Sequence, residues 1–443
     1  MIERGIGGRC ALVCVGLIAS MVSWLAYQPW NPTGLFMTGA PFGRDFVNYW
    51  LGPRLAWAGE AWRLADLAAY DAAIRSALGA TADSGRIFSY PPHILPPLLP
   101  FAALPFIVAL TAFTAVNLGA LAATLHLSDP NAAKRRGWLV VALVLSPPAA
   151  TMVMFGQFGG LIALAATVSL LERERRPWLA GLCLAALSVK PQLALILGLI
   201  LLGAGHWRWL PSAALGTTGL VILSLALFGI EPWDGFISFT LPIQSEFLTD
   251  FRPKKIATVC SVFFTARYWG LAPDLAWALQ GMASIVALAV SVAVLRRGSL
   301  DPAALCVILL GTLVALPYAS NYDVVIAAPA LTLLLMDRTL AGRMPLLLAA
   351  VWLVVPLARI MLAYHIPILS LLMLGAVLRE AFRLRSARLS SSAEHLPRSY
   401  GQTSAQSEWF GSSLDRKPVH APLRPWRASA TESATVSTRS SAG

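Results

Sequence analysis

The sequence predicts an all-α, polytopic integral membrane protein of about 12 transmembrane helices (roughly 10–13), and three observations carry that reading. Of 443 residues, 57% are hydrophobic and only 13% are charged, with a mean hydropathy of +0.66. Soluble globular chains are usually about 25% charged, so this one has too little polar surface to face water on every side. Apolar runs recur along the chain, punctuated by short basic turns: Lys134-Arg135-Arg136, Arg173 to Arg176, Arg208, Arg296-Arg297, Arg338 to Arg343 and Arg379 to Arg388. Two longer polar segments, 29–89 and 231–273, hold as many acidic as basic residues. Basic turns stay in the cytoplasm while long neutral loops are exported, so both long segments are expected outside a plasma membrane, with both termini inside. The net charge of +12 is spread between apolar runs rather than gathered on one domain, which points to membrane lipids and away from nucleic acid.

Taken in order, Arg4 and Arg9 precede an apolar stretch from Cys10 to Tyr27. It is longer than a signal-peptide core and lacks a small-x-small exit, so it reads as a retained first helix. Tracing the alternation of sides gives spans at about 10–28, 105–127, 137–154, 158–171, 177–190, 192–205, 209–229, 274–295, 302–319, 323–336, 344–363 and 366–380. Several are shorter than the ~20 residues needed to cross straight. Residues 90–104 carry five prolines; each removes a backbone donor, and broken backbone at membrane depth is tolerated only where it is buried or lines a cavity. This segment is expected as a re-entrant or kinked piece at the outer face. In the first outer loop, Phe46, Tyr49, Trp50, Leu55, Ala56 and Trp57 suggest an amphipathic helix lying along the interface, and Leu64 to Leu78 a second. Asp66, Asp71 and Asp83 of that loop are expected to be solvated. The domain reading is a membrane-embedded unit over 1–385 and a disordered cytoplasmic tail over 386–443, rich in Ser, Thr, Ala, Pro and Arg. The five cysteines offer no pair of loop partners for a disulfide and no metal site.

Charges within apolar segments are costly unless paired or facing water, which makes each a functional candidate. Lys190, before Pro191 and Gln192, ends one short helix near the outer surface, where a cation could neutralise a lipid phosphate; snorkelling to the headgroups is the plainer role. Arg359 is of the same type. Asn321, Tyr322 and Asp323 sit at an outer turn, and Gln157 marks a tight one in Gly156-Gln157-Phe158-Gly159-Gly160. Asp45, in Gly43-Arg44-Asp45-Phe46, follows the first helix closely and is flanked by Arg44, Tyr49 and Trp50. A carboxylate in a membrane-proximal cleft could take a proton from a sugar hydroxyl; partial desolvation would strengthen it as a base, and Arg44 would weaken it. Arg252, Lys254, Lys255 and Arg267 form a basic cluster that could hold phosphate or simply be solvated. Tyr90 and His93 lie among the prolines. No Walker motif, no G-x-G-x-x-G after a strand and no H-E-x-x-H occurs, so neither cofactor nor metal is expected.

The ordered set Asp45-Phe46-x-x-Tyr49-Trp50, Gly59, Tyr90-Pro91-Pro92, Phe155 to Leu161, Ala180-Gly181, Lys190-Pro191-Gln192 and Trp207-Arg208-Trp209 resembles glycosyltransferase family 87, the polyprenol-phosphate-mannose-dependent mannosyltransferases of the GT-C superfamily. The likeness spans roughly 10–380. It implies a GT-C-like membrane enzyme that moves a hexose, mannose in this family, from a polyprenyl-phosphate donor to a glycan or glycolipid acceptor outside the membrane. By position Asp45 matches the family's acidic base and Lys190 its Lys-Pro-Gln element. Near 316–323, where some members carry histidines, this chain reads Leu-Pro-Tyr-Ala-Ser-Asn-Tyr-Asp. The composition also fits a flippase of lipid-linked sugar, or a non-catalytic membrane partner in envelope assembly.

Overall fold

A computed structural model describes residues 3–27, 43–79, 87–130, 137–249, 258–336 and 345–394. Residues Met1–Ser392 form one compact unit; of the tail expected over 386–443, residues up to Glu394 continue the last helix and the rest lies outside the described residues. The described residues are helical, with a single isolated bridge between Val259 and Ser320. In chain order the helices are α1 (Glu3–Tyr27), α2 (Phe46–Trp57), α3 (Leu67–Leu78), α4 (Leu95–Ala102), α5 (Phe106–Ser128), α6 (Trp138–Val144), α7 (Pro147–Phe155), α8 (Gly159–Leu171), α9 (Pro177–Leu187) and α10 (Pro191–Gly203). They continue as α11 (Leu210–Phe228), α12 (Glu231–Gly235), α13 (Leu241–Thr249), α14 (Val262–Tyr268), α15 (Pro273–Leu295), α16 (Pro302–Val314), α17 (Ala328–Met336), α18 (Leu346–Ala363) and α19 (Leu369–Glu394).

By length and composition, five of these can cross a membrane: Gly8–Leu25 within α1, then α5, α11, α15 and α18. A sixth crossing forms if α6 and α7, bent by 48° at Leu145-Ser146, act as one span. The expected 12 spans therefore divide into two populations. The long helices present bare apolar faces, as on α11 at Leu215, Ile222 and Leu227, which only lipid can solvate. The other apolar runs are short helices, α8, α9, α10 and α16 among them. At 1.5 Å per residue a 13-residue helix reaches about 20 Å, against about 30 Å of hydrocarbon. Each short helix is therefore shorter than the hydrocarbon layer.

Which ends they are follows from the contacts. Arg173, after α8, donates to the carbonyls of Leu170 and Gly298 at 2.8 and 2.9 Å, and Arg296 donates to that of Gly203. These basic turns share one end of the bundle. Asp45, Gln157, Lys190 and Asp323 lie at the opposite ends of α8, α10 and α16.

The first-loop helix differs from the expected interfacial one. In α2, Phe46, Val47, Tyr49, Trp50 and Leu55 are buried, and Trp57 at its end is exposed. The proline-rich stretch supplies the wall: a 3-10 turn over Pro92–Ile94 leads into α4, whose last carbonyls are freed because the chain turns at Ala103. Arg54 of α2 donates to Ala102 and Leu104 carbonyls at 2.5 and 2.9 Å, and Trp50 Nε1 donates to Leu104 at 2.9 Å. Those bonds satisfy carbonyls a broken helix leaves open and pull α2 inward. The second expected helix forms as a 3-10 turn over Ala61–Ala65 followed by α3. Asp66 caps α3 by accepting from the Ala69 N–H at 2.9 Å. Asp71 is not solvated: it is buried and paired with Arg75 at 2.7 Å, one turn on. Asp83 lies outside the described residues.

The second long segment folds down onto the first. Thr240 and Gln244 donate to the carbonyls of Phe88 and Ser89 at 3.3 and 2.7 Å. Beyond it, Cys260 N–H donates to Ala319 and Asn321 N–H to Thr258, which ties the return of this segment to the 315–327 turn.

Candidate active site

Three turns meet at the ends of the short helices opposite the basic turns. The first is Gly43-Arg44-Asp45, the second Gly156-Gln157-Phe158 between α7 and α8, the third Ser320 to Asp323. Gly43 and Gly156 both take positive φ, +67° and +61°, where a Cβ is strained. At Gly156 an added Cβ would also lie 2.0 Å from the Gly43 carbonyl oxygen. Closure of the two backbones lets the Asp45 N–H donate to the Phe155 carbonyl at 3.0 Å. Asn117, in the middle of apolar α5, holds the far side of the same turn by accepting from Gly160 and Leu161 N–H groups at 3.1 and 3.3 Å.

On this frame Gln157, fully buried, donates from Nε2 to Asp45 Oδ2 at 2.8 Å and accepts from the Tyr49 hydroxyl at 2.9 Å. The Tyr49 and Tyr90 hydroxyls are 2.6 Å apart. Burial pushes the Tyr49 phenol well up, with Tyr90 and then Asp45 adding to it. Burial likewise raises Tyr90, and the Asp45 charge adds to the effect. Both therefore stay protonated donors. The Arg44 guanidinium lies 5.3 Å over the Phe155 ring, and its Nη1 is buried with no hydrogen-bond partner among the described residues.

Lys190 caps the start of α10 and is buried, its Nζ 2.6 Å from Asp323 Oδ1. The ammonium also sits 5.1 and 5.3 Å from the Tyr322 and Phe158 rings. Asp323 is fixed from behind, because its Oδ2 accepts from the Ser320 N–H at 3.0 Å in a reciprocal capping box. Asn321 donates to the Val355 carbonyl on α18 at 3.1 Å, one helical turn before Arg359. Tyr322 is raised by burial first, then by Asp323 and Asp45. Both carboxylates thus act on one cluster of phenols.

His93 borders this cluster, three residues beyond Tyr90. Its ring stacks on Trp233 of α12 at 5.9 Å, its Nε2 lies 3.0 Å from Ser188 Oγ, and its Nδ1 is buried without a partner among the described residues. Burial lowers the basicity of its ring, opposed by the Ser188 contact.

Of the residues singled out from sequence, Asp45, Arg44, Tyr49, Tyr90, Gln157, Lys190, Tyr322 and Asp323 come together. Asn321 ties the cluster to α18 through the Val355 carbonyl, and Arg359 is half-buried on that helix one turn further on. Gln192 is exposed on the first turn of α10 and stands outside the cluster. Arg267 is half-buried at the end of α14 and donates to the Leu271 carbonyl at 2.6 Å. Arg252, Lys254 and Lys255 lie outside the described residues. Sequence reasoning missed Asn117, Ser188 and Trp233. Asn117 was findable as a buried amide in an otherwise apolar span; the other two carry no signal of their own. Among the described residues, no three His, Cys, Asp or Glu side chains gather as metal ligands.

Known proteins add one match. The family model for glycosyltransferase family 87 matches residues 88–320. No curated protein and no solved structure matches the chain.

Proposed function

This chain belongs to glycosyltransferase family 87, and on that premise we propose that it transfers a hexose, mannose by family likeness, from a polyprenyl-phosphate donor to a glycan or glycolipid acceptor at the extracytoplasmic face of the plasma membrane. The observation that carries the reading is one side-chain cluster in which a held carboxylate, Asp45, and a buried cation, Lys190, both act on Tyr322, beside Tyr49 and Tyr90. The basic turns at the opposite end support a cytoplasmic side there.

In the proposed reaction Asp45 takes the proton of the acceptor hydroxyl, whose oxygen attacks the anomeric carbon of the donor. The bond from that carbon to the phosphate oxygen breaks, and the polyprenyl phosphate leaves with the electron pair. A single displacement inverts the anomeric carbon. Lys190 has three donor hydrogens and gives one to Asp323, so it can bind a phosphate oxygen without surrendering that partner. Arg44, its Nη1 unpartnered among the described residues, supplies a second positive group. A monophosphate leaving group develops less charge than a nucleotide diphosphate, and two preorganised cations in a desolvated site can stabilise it. Asn321 and Arg359 stand on the α18 side, where the lipid part of the donor would approach.

The test is transfer by purified protein offered a panel of polyprenyl-phosphate sugars with a glycolipid acceptor. Glycosylated product supports the reading. Movement of intact lipid-linked sugar across proteoliposomes, without product, would make the protein a flippase instead.

A further inference from the structure

The amide of Gln157 has only one workable orientation. Its Nε2 faces Asp45 Oδ2 at 2.8 Å and its Oε1 faces the Tyr49 hydroxyl at 2.9 Å. Reversed, the amide oxygen would oppose a carboxylate oxygen, acceptor against acceptor. The Tyr49 proton is therefore committed to Gln157, and the 2.6 Å contact between the two phenols must be donated by Tyr90. Donation runs one way: Tyr90 to Tyr49, Tyr49 to Gln157, Gln157 to Asp45. Each donation polarises the next in a site of low dielectric. The relay is rigid as well, since Tyr49 is fully buried and its ring packs 4.7 Å from Phe158 and 5.6 Å from Phe113. The Gln157 backbone N–H is itself held by the Met152 carbonyl at 3.1 Å.

We infer that Gln157 is the positioning residue of the base: it holds Asp45 Oδ2, stabilises the ionised carboxylate, and leaves Oδ1 as the oxygen that meets the acceptor hydroxyl. This rests on Asp45 being the base. The other titratable and charged groups around Asp45 are Arg44 beside it, Tyr49 on α2, Tyr90 of the proline-rich segment, and Tyr318, Tyr322 and Asp323 of the 315–327 turn, with Lys190 behind Asp323. Replacing Gln157 by Met keeps the bulk and removes only the amide.

The experiment is difference infrared spectroscopy on the full chain in lipid nanodiscs, following the protonated-carboxyl band as pH is lowered. The Asp45 band is identified by its loss in Asp45→Asn, so no substrate is needed. In Gln157→Met the pH at which the band appears should rise by about one to two units, the worth of one hydrogen bond to a carboxylate. In Tyr49→Phe, which removes the donor to Gln157 and the acceptor of Tyr90 but leaves the Gln157 amide on Asp45, it should rise by less. Tyr49→Phe decides the matter if Gln157→Met does not fold. An unmoved midpoint in the folded variants overturns the inference. The role of Asp45 as base is judged separately, by whether Asp45→Asn still turns over.

Discussion

Gly156→Ala tests whether the two turns that carry Asp45 and Gln157 are held together as described. At φ +61° an alanine is strained by about 1–2 kcal/mol. Its Cβ would stand 2.0 Å from the Gly43 carbonyl oxygen and 2.7 Å from Phe46 Cβ. No side-chain rotation relieves a clash with a backbone oxygen, so the Gly43 turn must withdraw by roughly 1 Å to restore ordinary contact. That stretches the 3.0 Å bond from Asp45 N–H to the Phe155 carbonyl and forfeits about 1 kcal/mol more. The expected loss of stability is roughly 2–3 kcal/mol. Displacing a reacting group by about 1 Å should also cost on the order of 100-fold in turnover. Unfolding in mixed micelles measures the first effect and transfer to a glycolipid acceptor the second. Gly119→Ala is the control, because nothing lies within 4 Å of its Cβ position on α5; it should be neutral or slightly stabilising. A Gly156→Ala protein with the stability and turnover of the parent would refute the contact between the turns.

Lys190→Met strands Asp323 with only its Ser320 contact and should destabilise by about 3–5 kcal/mol, the cost of breaking a buried pair. Adding Asp323→Asn should recover most of that stability but not donor binding, which a double-mutant cycle read on both unfolding and binding will separate. His93 has its folded-state ring basicity lowered by burial, so the folded state binds that proton less readily than the unfolded chain does. The contribution is fully present above the unfolded value of about 6.5 and is lost as pH falls through and below it. Unfolding of His93→Gln between about pH 7.5 and 5.5 should show a shallower loss than the parent.

The sequence made the class of fold legible because lipid imposes its rule on composition: few charges, long apolar runs, basic turns. The number of spans was less legible, because apolarity marks burial in protein as readily as burial in lipid: five or six helices pass by length and composition, against the 12 expected. Helices α8 and α16 are apolar on nearly every face, yet too short to cross. The α2 helix was legible as a helix but not as a buried one, since the groups that draw it inward, the carbonyls of Ala102 and Leu104, are backbone atoms with no residue signature. At the site, Asp45, Lys190 and Gln157 could be named singly as polar residues at tight or broken turns. Their partners could not: the pairing of Lys190 with Asp323 joins residues separated by 133 positions. The His93 stack on Trp233 depends likewise on how the second long segment folds back.

If Asp45 is the base for sugar transfer, its loss must separate donor binding from turnover. Asp45→Asn keeps the size of the side chain and removes its basicity. Binding of a polyprenyl-phosphate hexose and formation of glycosylated product should be measured on the same purified preparation. Donor binding should stay close to that of the parent, with product formation reduced by about 100-fold or more. Product at the parental rate from the Asn variant would contradict that role for Asp45.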